Sequence, residues 1–201
     1  MTPPEVVVHA DADRLAEAVA ERLVARVVDA QGTRGEASVV LTGGRVGTKV
    51  LGMVARSDAG RDAVDWRHVD VWWGDERFLP AGDPERNETQ AREALLDHVP
   101  VDPERVFPMP AADGVDGSDV DAAAARYSET LAGRAHRDGS GPVPRFDVLL
   151  LGVGPDGHVA SLFPEHPETY DDRPAVGVRG APKPPPIRIS LTFPSIRAAT
   201  E

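Results

Sequence analysis

Short apolar runs alternate along the chain with longer stretches of helical period. Glu5 to His9 (EVVVH) predicts a first strand, and Leu15, Val19, Leu23 and Val27 then recur every four residues. That spacing predicts a helix with Asp11 or Asp13 as N-cap and Gly32 beyond its end. Ala37 to Leu41 (ASVVL) predicts a second strand, entering a glycine turn and a helix marked by Val46, Val50 and Val54. Val69 to Trp73 (VDVWW) predicts a third, followed by a polar loop and the helix-like NETQAREALLDHV. Val120, Ala124, Tyr127 and Leu131 mark another helix, and Phe146 to Val153 (FDVLLLGV) is the most hydrophobic strand. Near-continuous apolar strands separated by helices are buried on both faces, so the pattern predicts an α/β doubly wound layer with a parallel sheet. An α+β arrangement is the alternative.

Two stretches interrupt the alternation. Asp138 to Arg145 (DGSGPVPR) and Ala181 to Arg188 (APKPPPIR) are rich in Pro and Gly, but each is short and stands beside a strand-like run. They read as loops within one domain rather than linkers. The ending, IRISLTFPSIRAATE, starts a strand and a further helix and then stops. The expectation is a single domain over residues 1–201, truncated at its C-terminus.

Composition narrows the partners. With 22 Lys plus Arg against 33 Asp plus Glu, the net charge of -11 repels nucleic acid and anionic membrane over most of the surface. An anionic ligand would therefore need a local basic pocket. The absence of cysteine excludes disulfides, thiolate chemistry and cysteine-ligated metal sites, and suits a reducing compartment. The N-terminal residues lack a basic segment followed by an apolar stretch, and no apolar run is long enough to cross a bilayer. A soluble, cytoplasmic protein is expected, without nucleic-acid or membrane partners.

In open α/β sheets ligands bind outside the carboxyl ends of the strands, so the loops there carry the chemistry. Leu41 to Gly47 (LTGGRVG) runs from a strand through glycines into a helix start, where backbone N–H groups and the helix dipole suit a phosphate. It is neither a Walker A loop nor a full GxGxxG, and a plain strand-to-helix turn would look the same. Trp73 to Asn87 (WGDERFLPAGDPERN) places Asp75, Glu76 and Arg77 directly after a strand. These charges either face solvent or form a mixed site in which Arg77 grips phosphate with its planar fork while Asp75 accepts a hydroxyl proton. The third loop follows the most apolar strand: Gly152, Gly154 and Gly157 permit sharp turns, and Asp156 lies two residues before His158. Histidine can take a proton from water and return it later, with a nearby carboxylate fixing its tautomer, although a surface histidine in a turn is the plainer reading. The other five histidines show no metal-ligand spacing, and no GxSxG elbow is present.

Taken in order, LTGG after a strand, WGDERFLP with RN following, GVGPDGHVASLFP and PKPPPIRISLT resemble the 6-phosphogluconolactonase family over essentially the whole chain. The resemblance implies hydrolysis of 6-phospho-D-glucono-1,5-lactone to 6-phosphogluconate in the oxidative pentose phosphate pathway. It implies a modified Rossmann-like three-layer αβα fold with a mostly parallel sheet, shared with glucosamine-6-phosphate deaminases and ribose-5-phosphate isomerases. No metal or cofactor is implied, the partner being the small phosphorylated lactone and the chain a monomer. Carried onto this sequence, His158 is the general base and Asp156 its support. Gly43, Gly44, Asp75, Arg77, Asn87, Lys183 and Arg188 hold the substrate and its phosphate. The chain departs from the family pattern at Arg45 and Val46, where a third glycine and a Ser or Thr are usual. The related deaminases carry a glutamate where this chain has Phe163, and Asp-Glu-Tyr where it has Asp75, Glu76 and Arg77.

Overall fold

The computed structural model describes residues 4–139 and 141–201, so Met1 to Pro3 and Ser140, within the predicted loop at Asp138 to Arg145, lie outside the described residues. The first predicted element is corrected. Glu5 to His9 forms no strand, and Val6 and Val8 are 82% and 88% exposed. A strand needs a free edge to pair with, which hydrophobic pattern alone cannot supply. The first helix, α1 (Ala12–Arg34), is capped by Asp11, whose carboxylate accepts from the Asp13 and Arg14 N–H groups. It runs through Gly32 and ends at Gly35, which takes the left-handed conformation at φ 80°. Gly32 is tolerated inside the helix, whereas the αL cap position selects a glycine.

The chain continues through β1 (Ala37–Leu41), α2 (Gly44–Arg56), the short α3 (Asp58–Asp62), β2 (Val69–Trp73) and β3 (Asp75–Arg77). Then follow α4 (Asn87–Ala94), α5 (Val120–Asp138), β4 (Val148–Leu149), β5 (Ala175–Val178), β6 (Arg188–Leu191) and α6 (Phe193–Ile196). Strands β2, β1 and β4 form a parallel sheet in that order, with Leu41 opposite Trp73 and Val40 opposite Leu149. Every residue of β1 and β2 is buried, as expected of a sheet covered on both faces. This is the α/β fold predicted from the alternation.

The predicted strand Phe146 to Val153 is shorter than its apolar run. Its ladder to β1 extends from Asp147 N–H on Ser38 O to Leu150 N–H on Val40 O, and beyond Leu150 the chain turns into the glycine loop. On its other side, Phe146 and Leu149 pair with Thr200 and Glu201. The helix predicted at NETQAREALLDHV ends at Ala94 and gives way to a single 3-10 turn over Leu96–His98.

A second sheet, antiparallel in the order β3-β6-β5, was not anticipated from the pattern. The segment Asp75 to Arg77, read as loop, is its edge strand, with Asp75 opposite Ser190 and Arg77 opposite Arg188. Gly74 alone joins β2 to β3: its N–H donates to Leu41 O in the first sheet and its carbonyl accepts from Leu191 N–H in the second. The core between the layers centres on Trp72, which stacks on Phe107 at 4.0 Å and meets Tyr127 and Phe146 edge-on. Such aromatic pairs add about 0.5–1.5 kcal/mol each beyond their buried area. No helix among the described residues is long and apolar enough to cross a membrane.

Candidate functional site

Because β1, β2 and β4 are parallel and in register, their carboxyl ends deliver Thr42–Gly44, Gly74–Asp75 and the Gly152–Gly154 loop to one end of the sheet. Between them lies a cleft of about 190 Å³, closed by Arg77, Asn87, His158, Ala160 and Arg188. Seven residues singled out in the sequence border it: Gly43, Gly44, Asp75, Arg77, Asn87, His158 and Arg188. Asp156 and Lys183 stand outside its lining.

His158 is partly buried, its side chain 17% exposed. Its Nδ1 lies 2.5 Å from Asp156 Oδ1. The imidazole rests against Phe163, ring centroids 4.7 Å apart. Tied at Nδ1, the ring keeps Nε2 for chemistry. The His158 hydrogen bond chiefly, helped by the nearby Lys183 charge, holds the Asp156 carboxyl below its ordinary range. Lys183 Nζ lies 3.6 Å from Asp156 Oδ1, so it reaches the carboxylate behind the histidine rather than the cleft. The loop requires glycine at 154, where a β-carbon would stand 2.1 Å from His158 Cε1 and 2.6 Å from Asp156 Oδ1. Across the turn Ala160 holds φ 50°, an uncommon value for a residue with a side chain.

The opposite wall is the start of α2. Gly43 is its N-cap and supplies no side-chain acceptor, and the first turn contains no carboxylate. The first N–H groups of this helix are left for a ligand, and the positive helix end favours an anion. Gly44 occupies φ 81°, which a glycine adopts without strain.

The start of α4 is treated differently. Glu76, fully buried, accepts from the Asn87 N–H at 2.6 Å and the Glu88 N–H at 2.8 Å, and from its own neighbour Arg77 N–H. Buried Arg86 lies 3.7 Å away and donates to the carbonyls of Leu79 and Met109. Burial pushes the Glu76 carboxyl up to about 7, against the pull of Arg86 and the three N–H donors. This buried pair anchors Asn87, whose Nδ2 donates to Asp75 O at 2.8 Å and to Asp75 Oδ1 at 3.2 Å. Asp75 Oδ2 accepts from Ser161 Oγ at 2.6 Å, and Arg188 Nη1 lies 3.9 Å from it. The rest of the Arg188 guanidinium donates to the carbonyls of Lys183, Pro184 and Pro185, and burial lowers its pKa. Asn87 Oδ1 and Arg77 Nε are buried with no partner among the described residues, leaving an acceptor and a donor beside the cleft.

Sequence reasoning passed over Glu76 as anything beyond a charge at a strand end, and did not single out Arg86 or Ser161. Polar spacing gives no sign that these side chains are buried; the second sheet, bringing β6 beside β3, helps enclose Glu76 and Ser161, while Arg86 is held by the Leu79 and Met109 carbonyls. Among the described residues no three His, Asp or Glu side chains converge on a point where a metal ion could sit.

Comparison with known proteins places this arrangement. A family described as glucosamine-6-phosphate isomerases/6-phosphogluconolactonase matches residues 10–201. A 6-phosphogluconolactonase of Streptomyces coelicolor is 62% identical over 199 residues, covering 98% of this chain and 76% of that protein. One from Mycobacterium tuberculosis is 45% identical over 192 residues, covering 95% and 76%. The structure of 6-phosphogluconolactonase from Trypanosoma brucei superposes with a TM-score of 0.80 at 28% identity, covering 98% of this chain and 79% of that one. With every helix and strand among the described residues and its cleft loops inside the matched region, the chain belongs to the glucosamine-6-phosphate isomerase/6-phosphogluconolactonase family.

Proposed function

We propose that this protein hydrolyses 6-phospho-D-glucono-1,5-lactone to 6-phosphogluconate, with His158 as general base. The carrying observation is His158 on the wall of a cleft that faces an uncapped helix start and an arginine, with Asp156 2.5 Å from its Nδ1 outside the lining. The names of the relatives support the same substrate.

A lactone is an ester, and its carbonyl carbon must be attacked by water. His158 Nε2 removes a proton from that water as the oxygen bonds to C1. The resulting imidazolium is steadied by Asp156. Collapse of the tetrahedral intermediate breaks the bond between C1 and the ring oxygen, and the imidazolium returns the proton to that oxygen. The new carboxylic acid then ionises in solution, so no covalent enzyme intermediate is required. Backbone N–H groups of the glycine loops are the donors at hand for the oxyanion. The substrate phosphate is held at the start of α2 by the N–H groups beyond Gly43 and Gly44 and by Arg77. Asp75, Asn87 and Arg188 receive the sugar hydroxyls, and Lys183 acts through Asp156.

Isomerisation of glucosamine-6-phosphate, the other activity in the family description, is disfavoured by Phe163, whose ring buttresses His158 and cannot move a proton. The test couples glucose-6-phosphate oxidation to this protein and follows loss of the 1,5-lactone above its spontaneous rate. Acceleration by the wild type and none by His158→Ala is expected. Equal rates in the two proteins would remove His158 from the role of base.

A further inference from the structure

Next to the catalytic cleft, and sharing Gly44 and Arg77 with it, a second and larger cavity of about 960 Å³ lies between α2 and α4. Arg45, Lys49, Arg56, Arg61 and Arg77 line it, with Glu93 the one carboxylate in the wall. In a chain of net charge -11 this gathering of positive charge is unexpected, and only part of it is neutralised, Lys49 pairing with Asp13 and Arg61 with Asp58. Elsewhere Arg34 pairs with Asp147, Arg126 with Asp116 and Arg173 with Asp171. Arg45 and Arg56, by contrast, have no carboxylate within ion-pair distance among the described residues. Gly52, buried on the same face of α2, makes room for one of them: its absent β-carbon would stand 3.1 Å from Arg56 Nη1.

We infer that this cavity is a second anion site, distinct from the lactone cleft, that takes an elongated ligand made of linked phosphoryl groups. The length follows from helix geometry. Arg45 and Arg56 stand on one face of α2, separated by eleven residues, or roughly 16 Å along its axis. One phosphate cannot engage both ends, whereas a chain of them can. Guanidinium groups bind phosphoryl oxygens in a planar fork and retain their charge at any physiological pH. The floor consists of small residues, Gly52, Ala55 and Ala94, and no Phe, Tyr or Trp lines the cavity. With His98 the one aromatic ring in the wall, a nucleotide base has little to stack on, and a simple phosphoryl chain fits the lining better. Through Arg77, which borders both cavities, an occupant would draw on the charge offered to the lactone phosphate and raise KM.

Isothermal titration of the protein with a linear inorganic polyphosphate, at about 0.15 M salt to suppress diffuse attraction, tests the site. Wild type and His158→Ala are expected to bind equally, and the double variant Arg45→Gln, Arg56→Gln to bind at least about tenfold more weakly, a loss of about 1.4 kcal/mol. These arms use no lactone, so they stand or fall apart from the proposed hydrolysis. Saturating 6-phosphogluconate is expected to weaken polyphosphate binding by less than about tenfold, as for two sites coupled through one shared arginine. Undiminished binding by the double variant, complete displacement by 6-phosphogluconate, or no binding by wild type would each overturn the inference.

Discussion

Asn87 occupies the space that a side chain at Gly43 would need. A β-carbon there would stand 1.9 Å from Asn87 Oδ1 and 2.4 Å from its Cγ, so the first glycine after β1 and the first residue of α4 are fitted to one another. Asn87 cannot retreat freely, because its N–H is bonded to buried Glu76 and its amide to Asp75.

Replacing Gly43 by alanine is therefore expected to push the Asn87 amide off Asp75 and disturb both walls of the cleft. A fall in kcat/KM of about 10–100-fold is expected, corresponding to roughly 1.4–2.7 kcal/mol. Steady-state kinetics of Gly43→Ala check this, and activity within twofold of wild type would contradict the fit.

Asp156→Asn keeps the shape behind His158 but offers an amide where the imidazole has a carboxylate. The wrong tautomer is then favoured and the imidazolium loses its counter-charge, so kcat is expected to fall by roughly 10²-fold or more. Asp156 is exposed and the melting temperature should not move. A lowered kcat with unchanged KM assigns the effect to the proton transfer, whereas a raised KM alone would assign Asp156 to substrate binding.

Ser161→Ala removes the donor 2.6 Å from Asp75 Oδ2 and leaves that buried oxygen with only Arg188 nearby. An unsatisfied buried acceptor costs about 1–3 kcal/mol. For a chain of this size a decrease in Tm of about 2–4 °C per kcal/mol follows, readable by calorimetry.

Glu76 makes stability depend on pH in a definite direction. Its carboxyl is raised from 4.5 to about 7 by burial, so across that window the folded state holds a proton that the unfolded chain has released. The stability this supplies is fully present below about pH 4.5 and is lost as pH rises through 7. Glu76→Gln stays neutral throughout. Relative to this variant, the wild type is expected to lose on the order of 3 kcal/mol between the two limits. Urea unfolding of both proteins at pH values from 4 to 8 measures the difference, and a constant gap across the series would contradict the assignment.

Arg77→Lys retains charge but not the fork, and the site beside the cleft holds a buried Arg77 Nε without a partner. KM for the lactone is expected to rise about tenfold with a smaller change in kcat, because phosphate binding far from the reacting carbonyl is largely uniform between ground and transition states. Initial-rate measurements over a range of lactone concentrations separate the two constants.

What the sequence determined by itself was local. The four-residue period of Leu15 to Val27, the buried runs of β1 and β2 and the glycine turn after Leu41 depend on side chains close in sequence, and α1, β1, α2 and β2 stand where that pattern predicts. The parallel arrangement followed, and with it the end of the sheet at which the loops gather. The order Asp156, Gly157, His158 likewise placed carboxylate and imidazole within reach. Tertiary structure decided what depends on distant partners. Glu5 to His9 has the composition of a strand but finds no edge, while Asp75 to Arg77, too polar to read as a strand, becomes one because β6 runs antiparallel beside it. The same pairing buries Asp75 and Glu76, whereas the carbonyl groups that hold Arg188 come from Lys183, Pro184 and Pro185, close by in the chain. Lys183 was brought to Asp156 rather than into the cleft. Hydrogen bonds between strands and the desolvation of charges are set by which segments meet, and a one-dimensional pattern records only what each segment prefers.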